Sequence, residues 1–397
     1  MKFSKLAIAL AVATVSTGAY ATNGMLMEGY GPIATGMGGA SLAYDNGTAA
    51  MMNNPATLGL MSEGSRLDLA VGFLGPDVHW NNEMGSGANQ QSEDKAFWMP
   101  AIGYVKKSGN LTYGAGVLAQ GGMGTNYPNV LGSGSNMYAQ VGVGRVIFPL
   151  AYNVNDKFTI GGSLDYVWAQ MDLQMMSPMG GYVFNFRDGS DFTGAAKGSG
   201  ISGKIGFTYK ANDQFTFGGV YQAAGNIGDL TGDGATVKNF DMPAVVGLGL
   251  AYKPNDKWLV AADLKDILWS DSMQTVDITQ GASTVGFVQN WDDQKVLALG
   301  VSYQYSEALT LRAGANFANN PIPDAYVTPL WPAIIENSYT LGFGYDFDKA
   351  NAVNFSVAYA PKVTQNLNTV SPLLGGWGGG NVTHSQTNAQ LMYSHRF

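Results

Sequence analysis

The 397-residue chain is predicted to be all-β, a 14-stranded antiparallel transmembrane β-barrel plugged by a small N-terminal hatch. Three observations carry that prediction. Apolar residues alternate with small polar ones in segment after segment, the signature of strands whose two faces meet different surroundings. The connections between these segments are alternately short and long. Charged residues make up only 13 % of the chain, against 54 glycines and 12 % aromatic residues, too little charge to solvate the whole outside of so long a chain.

Residues 1–21 read as a secretory signal peptide. Lys2 and Lys5 open it, residues 6–13 are apolar, and Ala19-Tyr20-Ala21 has the small-x-small form of a cleavage site. The stretch is too short to span a bilayer as a helix. Without Lys2 and Lys5 the formal charge moves from −8 to −10. That acidity excludes a nucleic-acid partner, which needs a basic face. With no cysteine, disulfide frameworks, zinc–thiolate sites and cysteine nucleophiles are excluded as well.

No later stretch is long and apolar enough for a transmembrane helix, so a membrane-spanning chain must close a barrel. The alternation is clear in several strands. Leu67, Leu69, Val71 and Phe73 oppose Arg66, Asp68, Ala70 and Gly72. Ile160, Leu164, Tyr166 and Trp168 oppose Thr159, Ser163 and Asp165. Tyr339, Leu341, Phe343 and Tyr345 oppose Ser338, Thr340 and Asp346. A soluble sandwich also alternates. Here aromatic residues gather at strand ends, as in Tyr303/Tyr305 and Tyr345/Phe347, and the opposite face is small and polar, which favours girdles and a lumen.

Six short turns are expected at 106–110, 153–157, 210–214, 253–257, 305–308 and 346–351. Asn-Asp pairs occupy three of them, at residues 155, 212 and 255, because Asn and Asp side chains bond their own backbone in turns. Seven long connections fall at about 74–94, 121–140, 172–200, 223–241, 268–293, 318–337 and 361–386, the plan of an outer-membrane barrel. Thirteen connections give 14 strands, both ends lying on the short-turn, periplasmic side. The last strand places Ala389, Leu391, Tyr393, His395 and the terminal Phe397 on one face, resembling the signal read by the barrel assembly machinery.

Residues 22–62 do not alternate. They are rich in Gly, Ala and Met and precede the barrel at 63–397, whose width demands a plug. A phosphate loop is excluded at Gly36–Gly39, since no Lys-Ser/Thr follows.

Gly36-x-Gly38-Gly39-Ala40, Ala43-x-Asp45 and Asn54-Pro55-Ala56 resemble the N-terminal hatch of the FadL/TodX-type outer-membrane transporters of long-chain fatty acids and hydrocarbons. Further matches are Phe148-Pro149 with Tyr152 and Asp156-Lys157-Phe158, Asp263 with Trp269-Ser270, and Arg312-x-Gly314 followed by Asn320-Pro321-Ile322-Pro323-Asp324. The resemblance implies passive uptake of hydrophobic compounds. Loops capture the ligand, a lumen pocket holds it, the hatch N-terminus shifts, and the ligand leaves sideways through a kink in strand three. Long-chain fatty acids are the first expectation and aromatic hydrocarbons the second. A closed structural or adhesive barrel, such as a phage receptor, is the reading from another class. No enzyme activity, cofactor or metal is expected. A monomer is expected, in contact with outer-membrane lipid and lipopolysaccharide.

Candidate ligand contacts are Met25, Leu26 and Met27 in the hatch and Met175, Met176, Met179, Tyr182, Phe184 and Phe186 in the longest loop. Such an apolar loop reads either as an exposed capture patch or as packing against its neighbours. Leu330, Trp331, Ile334 and Ile335 form a second apolar cluster. Arg145, Lys204 and Arg312 fall on the lumen face by parity and are candidate cations for a carboxylate. For Arg312 the alternative is an internal salt bridge, for instance to Asp45, because buried charges are normally paired. Gly114 and Gly116 of strand three mark the candidate lateral opening. His79, His384 and His395 are scattered, and Asp229 with Asp233 lacks the spacing of a calcium loop.

Overall fold

The computed structural model describes residues 23–81, 89–130, 136–177, 181–187, 191–367 and 380–397; the signal peptide and Met179 lie outside the described residues. Fourteen long strands form the wall. They are β1 (Gly64–Asn81), β2 (Phe97–Ser108), β3 (Leu111–Tyr127), β4 (Met137–Asn153), β5 (Phe158–Met176), β6 (Ala196–Lys210), β7 (Phe215–Gln222), β8 (Ala244–Asn255), β9 (Trp258–Leu268), β10 (Gln294–Gln304), β11 (Leu309–Ala318), β12 (Asn337–Asp346), β13 (Asn351–Asn366) and β14 (Asn381–Arg396). Each pairs antiparallel with its chain neighbours, and β14 returns to β1 from Arg66↔Arg396 to Asn81↔Asn381. The wall thus closes on itself, as the bilayer requires. No helix among the described residues is long and apolar enough to cross a membrane.

The turns form for the reason their sequences suggest. Asn155 Oδ1 accepts from the backbone N–H of Lys157 and Phe158, and Asn212 Oδ1 from Gln214 and Phe215, all at 2.9 Å. Asp348 Oδ1 does the same for Ala350 and Asn351. The outward faces are apolar and exposed, with Leu164, Ile205, Leu248, Leu264 and Leu341 among the most accessible side chains.

The long connections are shorter than their sequence suggests. β1 runs 18 residues and β5 runs 19, well beyond the roughly 9–11 that span a bilayer. Polar residues in these extensions obscure their strand character, but the ladder still satisfies the backbone. Short strands cap the long-loop end. Tyr182–Phe186 folds back on β5, while the hairpins Leu230–Gly232/Ala235–Lys238 and Thr275–Gln280/Ser283–Val288 pair with each other.

Residues 23–62 lie inside the barrel as two single-turn helices, α1 (Pro32–Thr35) and α2 (Ala50–Asn53), and a 3₁₀ turn at Pro55–Leu60. Irregular backbone leaves N–H groups without partners, and wall side chains supply them. Asp263 Oδ2 accepts from Ser41 N at 2.7 Å and Leu42 N at 3.2 Å. Asp68 Oδ2 accepts from Thr48 N at 2.8 Å. Asn54 accepts from Ala56 N at 3.1 Å and donates to the carbonyls of Leu42 and Phe207. Gly38 and Gly39 have φ of 67° and 84°, and Gly38 N donates to Thr340 Oγ1. Gly38 lies so close to Gly314 of the wall that a side chain at Gly314 would strike the Gly38 nitrogen.

Asp263→Ala would leave two buried N–H groups unmade, at about 1–3 kcal/mol each. The barrel should still assemble, and hydrogen exchange should accelerate at residues 40–43 while the β1–β14 ladder stays protected; unchanged protection at 40–43 would refute the anchoring role.

Candidate functional site

The upper lumen is filled by one apolar cluster. It joins Met25 and Leu26 of the hatch to Trp269, Trp291, Phe287, Trp331 and the loop residues Leu173, Met175, Met176, Phe184 and Phe186. Trp269 and Trp291 meet edge to face at 4.9 Å, and Phe287 and Trp331 at 5.7 Å. Gly24 lies against the Trp269 indole, where a side chain would not fit. Among its described residues, the longest loop turns most of its large apolar side chains into this cluster. Met175, Met176, Phe184 and Phe186 are buried and only Tyr182 is well exposed, because the Tyr182–Phe186 strand turns alternate side chains into the cap. Leu330, Trp331, Ile334 and Ile335 are buried too.

Beneath this cluster lie two of the three candidate cations. Arg145 Nη1 and Lys204 Nζ both donate to Asp165 Oδ2, at 2.8 and 2.6 Å, and Ser163 Oγ donates to Oδ1. All three charged side chains are shut off from solvent. Two cations share one carboxylate, so the group holds an excess positive charge. Arg145 Nη2 has no hydrogen-bond partner among the described residues. Arg145 Nε donates to Gln120 Oε1 at 2.7 Å.

Arg312 belongs elsewhere. It donates to Asn354 Oδ1 at 3.0 Å on the neighbouring wall, beneath Gly36 of the hatch. Asp45 approaches Arg66 at 4.0 Å, and Arg66 in turn binds Asp68 at 2.8 Å. The lumen partner suggested for Arg312 is thus taken by a cation on β1. Asp229 pairs with Lys238 at 3.3 Å, which uses the carboxylate considered for calcium.

β3 carries an irregularity of the wall at which the β2 ladder stops. The β2–β3 ladder is continuous through Gly114 and Gly116 and ends at Ala101↔Leu118. Gly116 packs on Met51 of the hatch. Above Leu118, β3 pairs only with β4, whereas Phe97–Pro100 of β2 pairs only with β1. A bulge places Gln120 out of register between Ala119 and Gly121. The hatch occupies the freed edge. Leu26 bridges Gly121, Gly122 N donates to Met25 O at 3.2 Å, and Tyr30 OH donates to Gln120 O at 2.6 Å. Gln120 therefore touches the hatch through its carbonyl and the Arg145 cation through its side chain. Parity alone missed Gln120 and the role of Asp165, since the cross-strand register that brings them to Arg145 is not written in any single segment.

Glu28 of the same hatch segment is 1 % exposed, and neither carboxyl oxygen makes a hydrogen bond among the described residues. Burial pushes its pKa up from 4.5 to about 7. The docked segment then holds a proton that the released segment loses above about pH 4.5. Docking should be strongest below 4.5 and weaken by up to about 3 kcal/mol as pH rises to 7, then level off. Hydrogen exchange of residues 23–30, corrected for intrinsic rates, should show more opening at pH 8 than at pH 5; Glu28→Gln should abolish that difference, and a pH-independent wild type would refute it.

Comparison with known proteins agrees with this architecture. Residues 8–396 match the family model described as outer membrane protein transport protein (OMPP1/FadL/TodX). A 77-residue segment is 51 % identical to an uncharacterized protein of Chlorobium limicola, covering 19 % of this chain and 38 % of that one. The long-chain fatty acid transport protein of Escherichia coli K12 is 23 % identical over 90 % of this chain and 92 % of its own. The crystal structure of the toluene transporter TodX from P. putida superposes with a TM-score of 0.81 at 28 % identity, over 93 % of this chain and 99 % of that one. A closed 14-stranded antiparallel barrel matched almost end to end by that model makes this chain a member of the OMPP1/FadL/TodX family of outer-membrane transporters of hydrophobic compounds.

Proposed function

We propose that this barrel takes up long-chain fatty acids passively, with both termini in the periplasm. The observation that carries the reading is the buried Arg145–Asp165–Lys204 group, whose excess positive charge and unpaired Arg145 Nη2 suit a carboxylate. The apolar cluster above it suits the chain, worth about 0.8 kcal/mol for each CH₂ removed from water. On this reading Met25, Leu26, Met27, Met175, Met176, Phe184 and Phe186 line the path. Release follows displacement of the hatch segment at 23–30, which uncovers the free edge of β3 at 119–122. Arg312 serves as a positioning group for the hatch.

A second reading, uptake of monoaromatic hydrocarbons, is favoured by the likeness to the toluene transporter TodX. The two separate on charge. Arg145→Met keeps the Asp165–Lys204 pair but removes the excess cation. In cells lacking their own channel of this kind, it should slow oleate uptake roughly tenfold and leave toluene uptake unchanged. Equal losses would refute a head-group role. Wild-type uptake of toluene without oleate would establish the second reading, and uptake of neither would leave a closed structural barrel.

A further inference from the structure

We infer that His384 accepts a hydrogen bond from the hydroxyl group of an otherwise apolar solute, in a chamber beside the break between β2 and β3. The inference rests on the uptake reading and adds a class of substrate to it. The chamber has a volume of about 40 Å³. Met25 and Met27 of the hatch, Phe97 of β2, Met123 of β3, Ala333 of the 319–336 connection and His384 of β14 line it. It is almost wholly apolar, and it sits where hatch, wall and cap meet.

His384 is 8 % exposed. Its Nδ1 lies 2.9 Å from the Pro332 carbonyl oxygen. A carbonyl can only accept, so Nδ1 carries the hydrogen and Nε2 of the neutral ring presents a lone pair. Nε2 is buried and has no hydrogen-bond partner among the described residues. The chamber's other polar side chains are engaged: Gln386 donates its amide to Asn388 at 2.7 Å, and Thr125 Oγ1 donates to the Leu330 carbonyl at 3.1 Å. Among the described residues of the lining, His384 Nε2 is the acceptor buried without a partner, in a mostly apolar surround.

A buried acceptor left unmade costs about 1–3 kcal/mol, and a ligand that satisfies it recovers that. Sites built this way reject analogues that lack the donor. A carboxylate brings no hydrogen and finds its counter-charge at Arg145 and Lys204. A phenol or alcohol brings an O–H donor on an apolar body. The chamber holds the hydroxyl-bearing end of such a molecule, and three methionines give way to the remainder.

The test compares p-cresol with p-xylene, which differ by one hydroxyl. Initial uptake is measured in cells lacking their own channel of this kind and expressing wild type, His384→Leu or His384→Gln, with vector-only rates subtracted. His384→Leu should slow p-cresol roughly five- to tenfold and leave p-xylene unchanged. His384→Gln, which keeps an acceptor, should restore most of the p-cresol rate. In purified ¹⁵N-histidine-labelled protein, the His384 Nε2 resonance should shift with p-cresol and stay in place with p-xylene. Equal effects of His384→Leu on both solutes, or a resonance unmoved by p-cresol because Nε2 holds water only, would overturn the inference while p-xylene uptake stands. Passage of neither solute through the wild type would overturn the uptake reading and the inference together.

Discussion

A backbone N–H or C=O left without a partner in hydrocarbon costs several kcal/mol, and there is no water to supply one. Everything else in the molecule follows from how that requirement is met. The wall meets it by closing β1 on β14 over sixteen residue pairs. Closure with an even number of strands places both barrel ends at the short-turn side and leaves a lumen too wide to stay empty. The plug that fills it is irregular, so the same requirement returns inside the barrel. There the wall answers with side chains, as Asp263 and Asp68 accept from hatch N–H groups while Asn316 and Gln390 donate to hatch carbonyls.

The break between β2 and β3 is also where the hatch is most lightly held. Above Leu118 β3 no longer pairs with β2; Met25 and Leu26 lend it a short stretch of backbone pairing, and the Glu93 N–H reaches it again at the Asn126 carbonyl. Residues 35–60 are fastened by several wall groups, whereas residues 23–30 rest chiefly on β3, on Gln390 and on apolar packing. Glu28 weakens that hold further, since its carboxyl is buried without a partner. Withdrawing residues 23–30 would expose the β3 edge, the Gln120 bulge and the His384 chamber together, because all three are covered by the same few residues.

Two polar groups of the upper lumen differ in charge. Arg145 and Lys204 share Asp165 next to Gln120, whereas the His384 imidazole lines a mostly apolar chamber with Met25, Met27 and Met123. A transporter of hydrophobic compounds needs such points of recognition to be few, because each buried polar group left without a partner costs free energy until a ligand supplies one. The chain is similar to proteins named for fatty acids and for toluene, and those two kinds of solute differ in whether they carry a charged head.

The sequence by itself determined the strands, the turns and the family. Period-two alternation such as Leu67–Phe73 reports which face meets lipid, and Asn155, Asn212 and Asn255 bend the chain through bonds to their own neighbours. These are local properties, and so were readable from the sequence. The hatch motif at Gly38, Gly39 and Asn54 was recognisable for the same reason, since positive φ and a capping side chain are set within a few residues. Only the tertiary structure decided which charges meet. Arg145 and Asp165 lie on paired strands but not opposite each other, and Lys204 reaches Asp165 from a third strand. Parity placed Arg312 in the lumen yet could not exclude Asp45 as its partner, a role Arg66 fills from β1. The apolar residues of the longest loop were likewise ambiguous until the structure buried Met175, Met176, Phe184 and Phe186. Cross-strand register and loop burial depend on how distant segments close around a common lumen, and no single segment carries that information.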